Sequence, residues 1–164
     1  MRYLILLFFI VSCSYEKYES SDQPPAVGEC ANGFSTYTIN GEDLQFECND
    51  YDLVGYVSLD QMDADSGNDC WGWTDPLTGK EYALMGLDNG TGIIDISDPF
   101  NPNYLGKIPT ATLSSTWRDV KVFKDHAFIV SEAAGHGMQI FDLSKVRDVI
   151  ETQEFQPDFV YEGY

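Results

Sequence analysis

The sequence predicts an all-β fold built from a repeated four-stranded unit, and three observations carry the prediction. From residue 34 onward nearly every apolar segment has strand length and is rich in β-branched or aromatic residues. Gly, Asn, Asp or Pro clusters separate most of these segments, as turns require. One pattern is also written twice. "WTDPLTGKEYA" (73–83) is followed by "WRDVKVFKDHA" (117–127), with Trp73 and Trp117, Asp75 and Asp119, Lys80 and Lys124, and Ala83 and Ala127 each 44 positions apart. "IIDIS" (93–97) then matches "IFDLS" (140–144) at an offset of 47, so three extra residues fall in the turn "EAAGHG" of the second copy. An insertion confined to a turn, with strands kept on both sides, is how a structural repeat drifts.

Taken in order, "FSTYTI" and "LQFEC" flank Asn40-Gly41 and read as a hairpin, and "LVGYVSL" follows as a further strand. The first repeat then supplies a Trp-rich inner strand, "EYALMGL" and "TGIIDIS", and the Pro-rich link "DPFNPN" leads to a fourth strand, "YLGKI". "DVKVF", "HAFIVS" and "MQIFDLS" repeat the first three. Only "SKVRDVIETQ" (144–153) has helical character, with Ser144 placed to cap it and Val146, Val149 and Ile150 on one face. Four antiparallel strands recurring every 44–47 residues is the period of a β-propeller blade. Residues 68–164 hold about two such blades, and closure takes four or more. The expectation is therefore an incomplete propeller, a fragment of a longer chain with apolar blade faces left uncovered.

The N-terminus reads as an export signal. Arg2 precedes an apolar run from Leu4 to Val11, too short to span a bilayer but suited to a signal peptide. "IVSC" (10–13) resembles a bacterial lipobox, in which cleavage after residue 12 leaves Cys13 as the lipidated N-terminus. Residues 13–28 then form a polar, Pro-containing tether, residues 29–67 a β-hairpin segment, and residues 68–164 the repeats. The expected location is outside the cytoplasm, anchored in the membrane by lipid at the bacterial cell surface or outer membrane. Export makes disulfides stable. Cys30 and Cys48 bracket the hairpin and are expected to pair, which leaves Cys70 as a small buried side chain.

The chain carries 9 basic and 27 acidic residues, a net charge of −18. Such a field repels phosphate backbones, so nucleic acid is excluded as a partner. Against this background, "GNDCWGWTDPLTGKEYALMGLDNGTGIIDISDPFNPNYLGKIPT" and "TWRDVKVFKDHAFIVSEAAGHGMQIFDL" resemble the choice-of-anchor B family, which carries LVIVD-type propeller repeats. With "FECNDYDLVGYVSL", the resemblance extends over residues 28–164. It implies a β-propeller fold and surface anchoring, and it implies no particular reaction.

Candidate sites are few. Asp63, Asp65 and Asp69 in "DQMDADSGND" offer hard oxygen ligands around Gly67, a weak calcium motif that lacks two EF-hand positions. Trp71, Trp73, Trp117 and His136 are candidates for a binding surface, with packing between blades as the competing use of the tryptophans. His126 aligns with Tyr82 and is expected to pack. No catalytic residue is assigned, because the sequence has neither a nucleophile elbow nor a zinc-protease motif. Two functional readings follow. One is a binding or scaffolding module for an extracellular protein, peptide or glycan. The other is part of a propeller hydrolase or lyase whose catalytic groups lie partly in further blades.

Overall fold

The computed structural model describes residues 28–39 and 41–163; Cys13, the lipobox, most of the tether and Asn40 lie outside the described residues. Among the described residues the fold is all-β, with three sheets and no closed barrel. The first sheet is the hairpin of β1 (Phe34–Ile39) and β2 (Glu42–Glu47), joined antiparallel with Phe34 opposite Glu47. The Cys30–Cys48 disulfide closes its open end. Tyr56 packs its ring against Tyr37 and Phe46 and so attaches the hairpin to the following chain.

Two four-stranded antiparallel units follow. In unit 1, β3 (Gly67–Thr74), β4 (Glu81–Leu87), β5 (Gly90–Asp95) and β6 (Asn103–Pro109) lie side by side in chain order. In unit 2 the order is β7 (Arg118–Phe123), β8 (His126–Ser131), β9 (Met138–Asp142) and β11 (Phe159–Tyr161). The short β10 (Gln153–Glu154) leaves unit 2 and pairs parallel with β6, lacing the two sheets together.

Strand register establishes the repeat and refines its alignment. Tyr82 faces Asp95 as His126 faces Asp142, and Ala83 faces Ile94 as Ala127 faces Phe141. The second and third strands therefore match at the offsets of 44 and 47 read from the sequence. The first strand does not. Trp73 faces Tyr82, whereas Phe123 faces His126, so the structural counterpart of Trp73 is Phe123 and not Trp117. The turns cause the difference. Unit 2 turns in two residues, with Lys124 at a positive φ of 54°. Unit 1 inserts a loop in which the Asp75 carboxylate accepts from the Leu77 N–H and the Thr78 hydroxyl.

The main core is the gap between the two units. One face of unit 1 (Trp73, Tyr82, Leu84, Ile93) meets the opposite face of unit 2 (Val120, Ala127, Ile129, Phe141), all buried in one cluster. The reverse face of unit 1 is covered by the segment before β3, where Met62 with Val57, Leu59 and Ala64 packs on Leu87 and Ile94. The first strands of the two units are also tied: the Asp69 carboxylate accepts from the Val120 N–H at 2.9 Å and from Lys121 at 3.1 Å.

The expected helix over 144–153 is absent. A 3-10 helix covers Leu143–Val146, capped by the Asp142 carboxylate rather than by Ser144. Beyond it Arg147 is drawn across to the buried Asp75, with bonds of 2.9 and 2.7 Å, and the chain runs on into β10. Val146 and Val149 pack on the main core, but Ile150 is 90% exposed and leaves the apolar face read from the sequence. His126 also departs from expectation. It sits at the register position of Tyr82 but is exposed, because unit 2 presents to unit 1 the face opposite to the one unit 1 presents to it. Cys70 is likewise exposed and free on the edge strand β3, not buried.

Candidate functional site

At one end of the gap the core turns polar. Arg118 opens β7 in phase with Val120, so its side chain enters the interface and is 1% exposed. Its Nε donates to the Leu87 carbonyl at 2.8 Å, its Nη2 to the Asp88 carbonyl at 3.4 Å, and its Nη1 lies 2.9 Å from His136 Nε2. A guanidinium only donates, so His136 Nε2 accepts and the imidazole is neutral. Its Nδ1 then carries the proton and donates to the Gly137 carbonyl at 3.1 Å. Burial pushes the His136 pKa down, the carbonyl opposes that shift, and the Arg118 charge adds to it. Burial lowers the Arg118 pKa as well, with the Asp88 carboxylate opposing it. The result is a staple joining the first strand of unit 2, the β4–β5 turn of unit 1 and the Gly-rich turn of unit 2.

Beside this staple lies a cleft of about 360 Å³ lined by Pro109, Thr110, His136, Gln139, Glu154 and Glu162 among others. A second depression of about 380 Å³ shares His136 and Glu162 with it. Three connections wall the cleft: the β6–β7 link, the turn before β9 and the β10–β11 link. Gln139 projects from β9 on the same face as its neighbour Val160. Its Nε2 donates to the Pro109 carbonyl at 2.9 Å, while its Oε1 is buried with no partner among the described residues. Exchanging amide oxygen and nitrogen would set two carbonyl oxygens against each other, so the free group is an acceptor. Thr91 Oγ1, on the facing surface of unit 1, is also buried without a partner.

The four residues named as a binding surface are not brought together. Trp73 is buried and stacked on Tyr82 in the interface, with ring centroids 5.2 Å apart. Trp71 is partly exposed with the Lys121 ammonium 4.4 Å over its ring. Trp117 is 60% exposed just before β7 of unit 2, whereas Trp73 lies in β3 of unit 1. His136 alone lines the cleft, and it does so as a buried side chain.

The calcium candidates separate too. Asp69 is engaged by Val120 and Lys121, and its carboxyl is held below its ordinary range, chiefly by the Val120 N–H. Asp63 and Asp65 border a polar depression with Asp60 and Asn89, but the Lys107 ammonium stands there. It donates to the Met62 and Asp63 carbonyls at 3.2 and 2.7 Å and to Asn89 at 3.1 Å. No group of three potential metal-binding side chains occurs among the described residues.

Sequence reasoning missed Arg118 and Gln139. Both left a signal, since each stands in the alternation phase of buried apolar residues, Arg118 with Val120 and Gln139 with Phe141. Comparison with protein-family models, curated proteins and solved structures yields no match for this chain.

Proposed function

We propose that this chain is an exported, lipid-anchored binding module of β-propeller type that takes a polar extracellular ligand in the cleft between its two units. Export is supported by the signal-like N-terminus and by the Cys30–Cys48 disulfide, which belongs to an oxidising compartment. The propeller reading is supported by two register-matched, four-stranded meanders stacked face to face with their first strands tied together. The observation that carries binding is Gln139, a buried amide in the cleft wall with its oxygen left over. A buried acceptor without a partner costs about 1–3 kcal/mol, which an incoming donor recovers. Peptide N–H groups and glycan hydroxyls are such donors.

Peptide and glycan arrays probed with the lipid-free protein test this reading. Wild type is expected to retain a small set of ligands that Gln139→Leu loses. A ligand set unaltered by Gln139→Leu refutes the cleft as the site. For the anchor, Cys13→Ala is expected to abolish incorporation of labelled fatty acid in a bacterial host, and equal labelling of both proteins refutes it.

A further inference from the structure

The wall of the cleft beside Gln139 is chemically lopsided. Four donors along it are engaged within the protein. Gln139 Nε2 donates to the Pro109 carbonyl, and His136 Nδ1 donates to the Gly137 carbonyl. The Thr110 hydroxyl donates to the Leu113 carbonyl at 3.2 Å, and Gln156 Nε2 donates to Glu154 at 3.0 Å. The capacity left over accepts. Gln139 Oε1 is buried without a partner among the described residues. Glu154 and Glu162 line the same cleft as exposed residues, and neither has an ion-pair partner among the described residues. Arg118, the cation of the staple, is 1% exposed behind His136, with its donors directed at Leu87, Asp88 and His136.

We infer that the cleft selects a cationic tip, an ammonium or guanidinium group on an unbranched apolar stem, as the lysine or arginine of an extracellular peptide presents it. This rests on the cleft reading above and narrows it from polar ligands in general to cations. Ammonium and guanidinium groups only donate, so they set no acceptor against a wall of acceptors. A glycan hydroxyl brings lone pairs with its donor and no charge to match the two carboxylates. Gln139 is 2% exposed, so its oxygen is reached by a narrow tip rather than by the face of a ring. Behind that tip, Pro109, Ala111, Pro157 and Val160 give apolar surface along which a methylene stem can lie. A volume of about 360 Å³ takes one such side chain rather than a folded surface. The net charge of −18 draws cations toward the protein before they reach the cleft. A free polyamine carries the same tip, and the test separates it from a peptide.

The test titrates the lipid-free protein at pH 7.5 with four probes: the acetylated, amidated tripeptides Gly-Lys-Gly, Gly-Arg-Gly and Gly-norleucine-Gly, and spermidine. Calorimetry reads the affinities. The lysine or arginine peptide is expected to bind at least about tenfold more tightly than the norleucine peptide. That preference is expected to shrink several-fold between about 20 and 300 mM salt, as screening of exposed carboxylates requires. Glu154→Gln combined with Glu162→Gln is expected to remove most of the preference at an unchanged unfolding midpoint, because both side chains are exposed. Gln139→Leu is expected to weaken every probe that binds. A norleucine peptide that binds as well as the lysine peptide, and is lost on Gln139→Leu, overturns the cationic reading and keeps the cleft. Cationic peptides bound equally by wild type and Gln139→Leu overturn the cleft itself. No saturable binding of any cationic probe also overturns the cationic reading. Spermidine bound more tightly than either peptide overturns the peptide source and assigns the cation to a free polyamine.

Discussion

Lowering the pH from 7.5 to 5.5 should weaken the fold through one side chain, His136. Its Nε2 must accept from Arg118 at 2.9 Å, so protonation there removes the bond and sets two cations against each other in a site 1% exposed. The folded pKa is accordingly depressed below the ordinary 6.5, with burial as the main cause. A depressed value means that the unfolded chain takes up the proton first. The contribution of His136 is complete above about 6.5 and is lost as pH falls below it. One proton corresponds to about 1.4 kcal/mol per pH unit, so the loss at pH 5.5 is at most about 1.4 kcal/mol. Urea unfolding followed by tryptophan fluorescence at pH 7.5, 6.5 and 5.5 measures it. Wild type should lose more stability across this range than His136→Gln, which cannot take the proton, and the difference is bounded by about 1.4 kcal/mol. His126 is present in both proteins and cancels. Parallel stability curves for the two would refute the neutral-imidazole assignment.

Three further outcomes are expected. Arg147→Met should strand the Asp75 carboxylate, which Arg147 above all holds well below the ordinary range of 3.8. In wild type that stabilisation is present above 3.8 and lost as pH falls through the folded value, so the variant's acid-unfolding midpoint should move to higher pH. Replacing Cys30 and Cys48 by Ser should free a hairpin worth about 3 kcal/mol of loop constraint, read as early proteolysis within residues 31–47 while the sheets remain protected. Gly106→Ala should detach β10, since a Cβ there would lie 1.7 Å from the Gln153 carbonyl oxygen, at a φ of 133°. A cost of about 1–3 kcal/mol and faster amide exchange at Gln153–Phe155 are the readouts.

Strand identity was legible because alternation and turn residues act locally. Of the nine segments quoted from the sequence as strands, the one over "LVGYVSL" is where locality fails. Val57, Leu59, Met62 and Ala64 are apolar because they cover the reverse face of unit 1, and they do so without joining a sheet. The helix over 144–153 failed for a related reason. Val146, Val149 and Ile150 have helical spacing, but the buried Asp75 draws Arg147 to unit 1, and β6 offers β10 an edge to pair with. Propensity yields to a tertiary partner of this kind. The alignment of Trp73 with Trp117 failed because residue identity at an offset cannot reveal a six-residue difference in turn length when the flanking strands shift with it.

The candidate site was hardest to read because its polar residues occupy positions where alternation predicts apolar ones. Burying Arg118 beside Val120 is costly unless acceptors are fixed in place beforehand. The Leu87 and Asp88 carbonyls come from unit 1 and His136 from a turn some residues away in unit 2, so no window of sequence contains the set. The identical argument explains why the register-matched units bury opposite faces. A repeat copied in sequence keeps its pairing pattern, but stacking requires that the front of one sheet meet the back of the next. Burial is therefore a property of a position in the stack rather than of a position in the repeat. Tyr82 is enclosed because unit 2 lies on its face of unit 1, and His126, at the same register position, is open because the face of unit 2 that meets unit 1 is the other one.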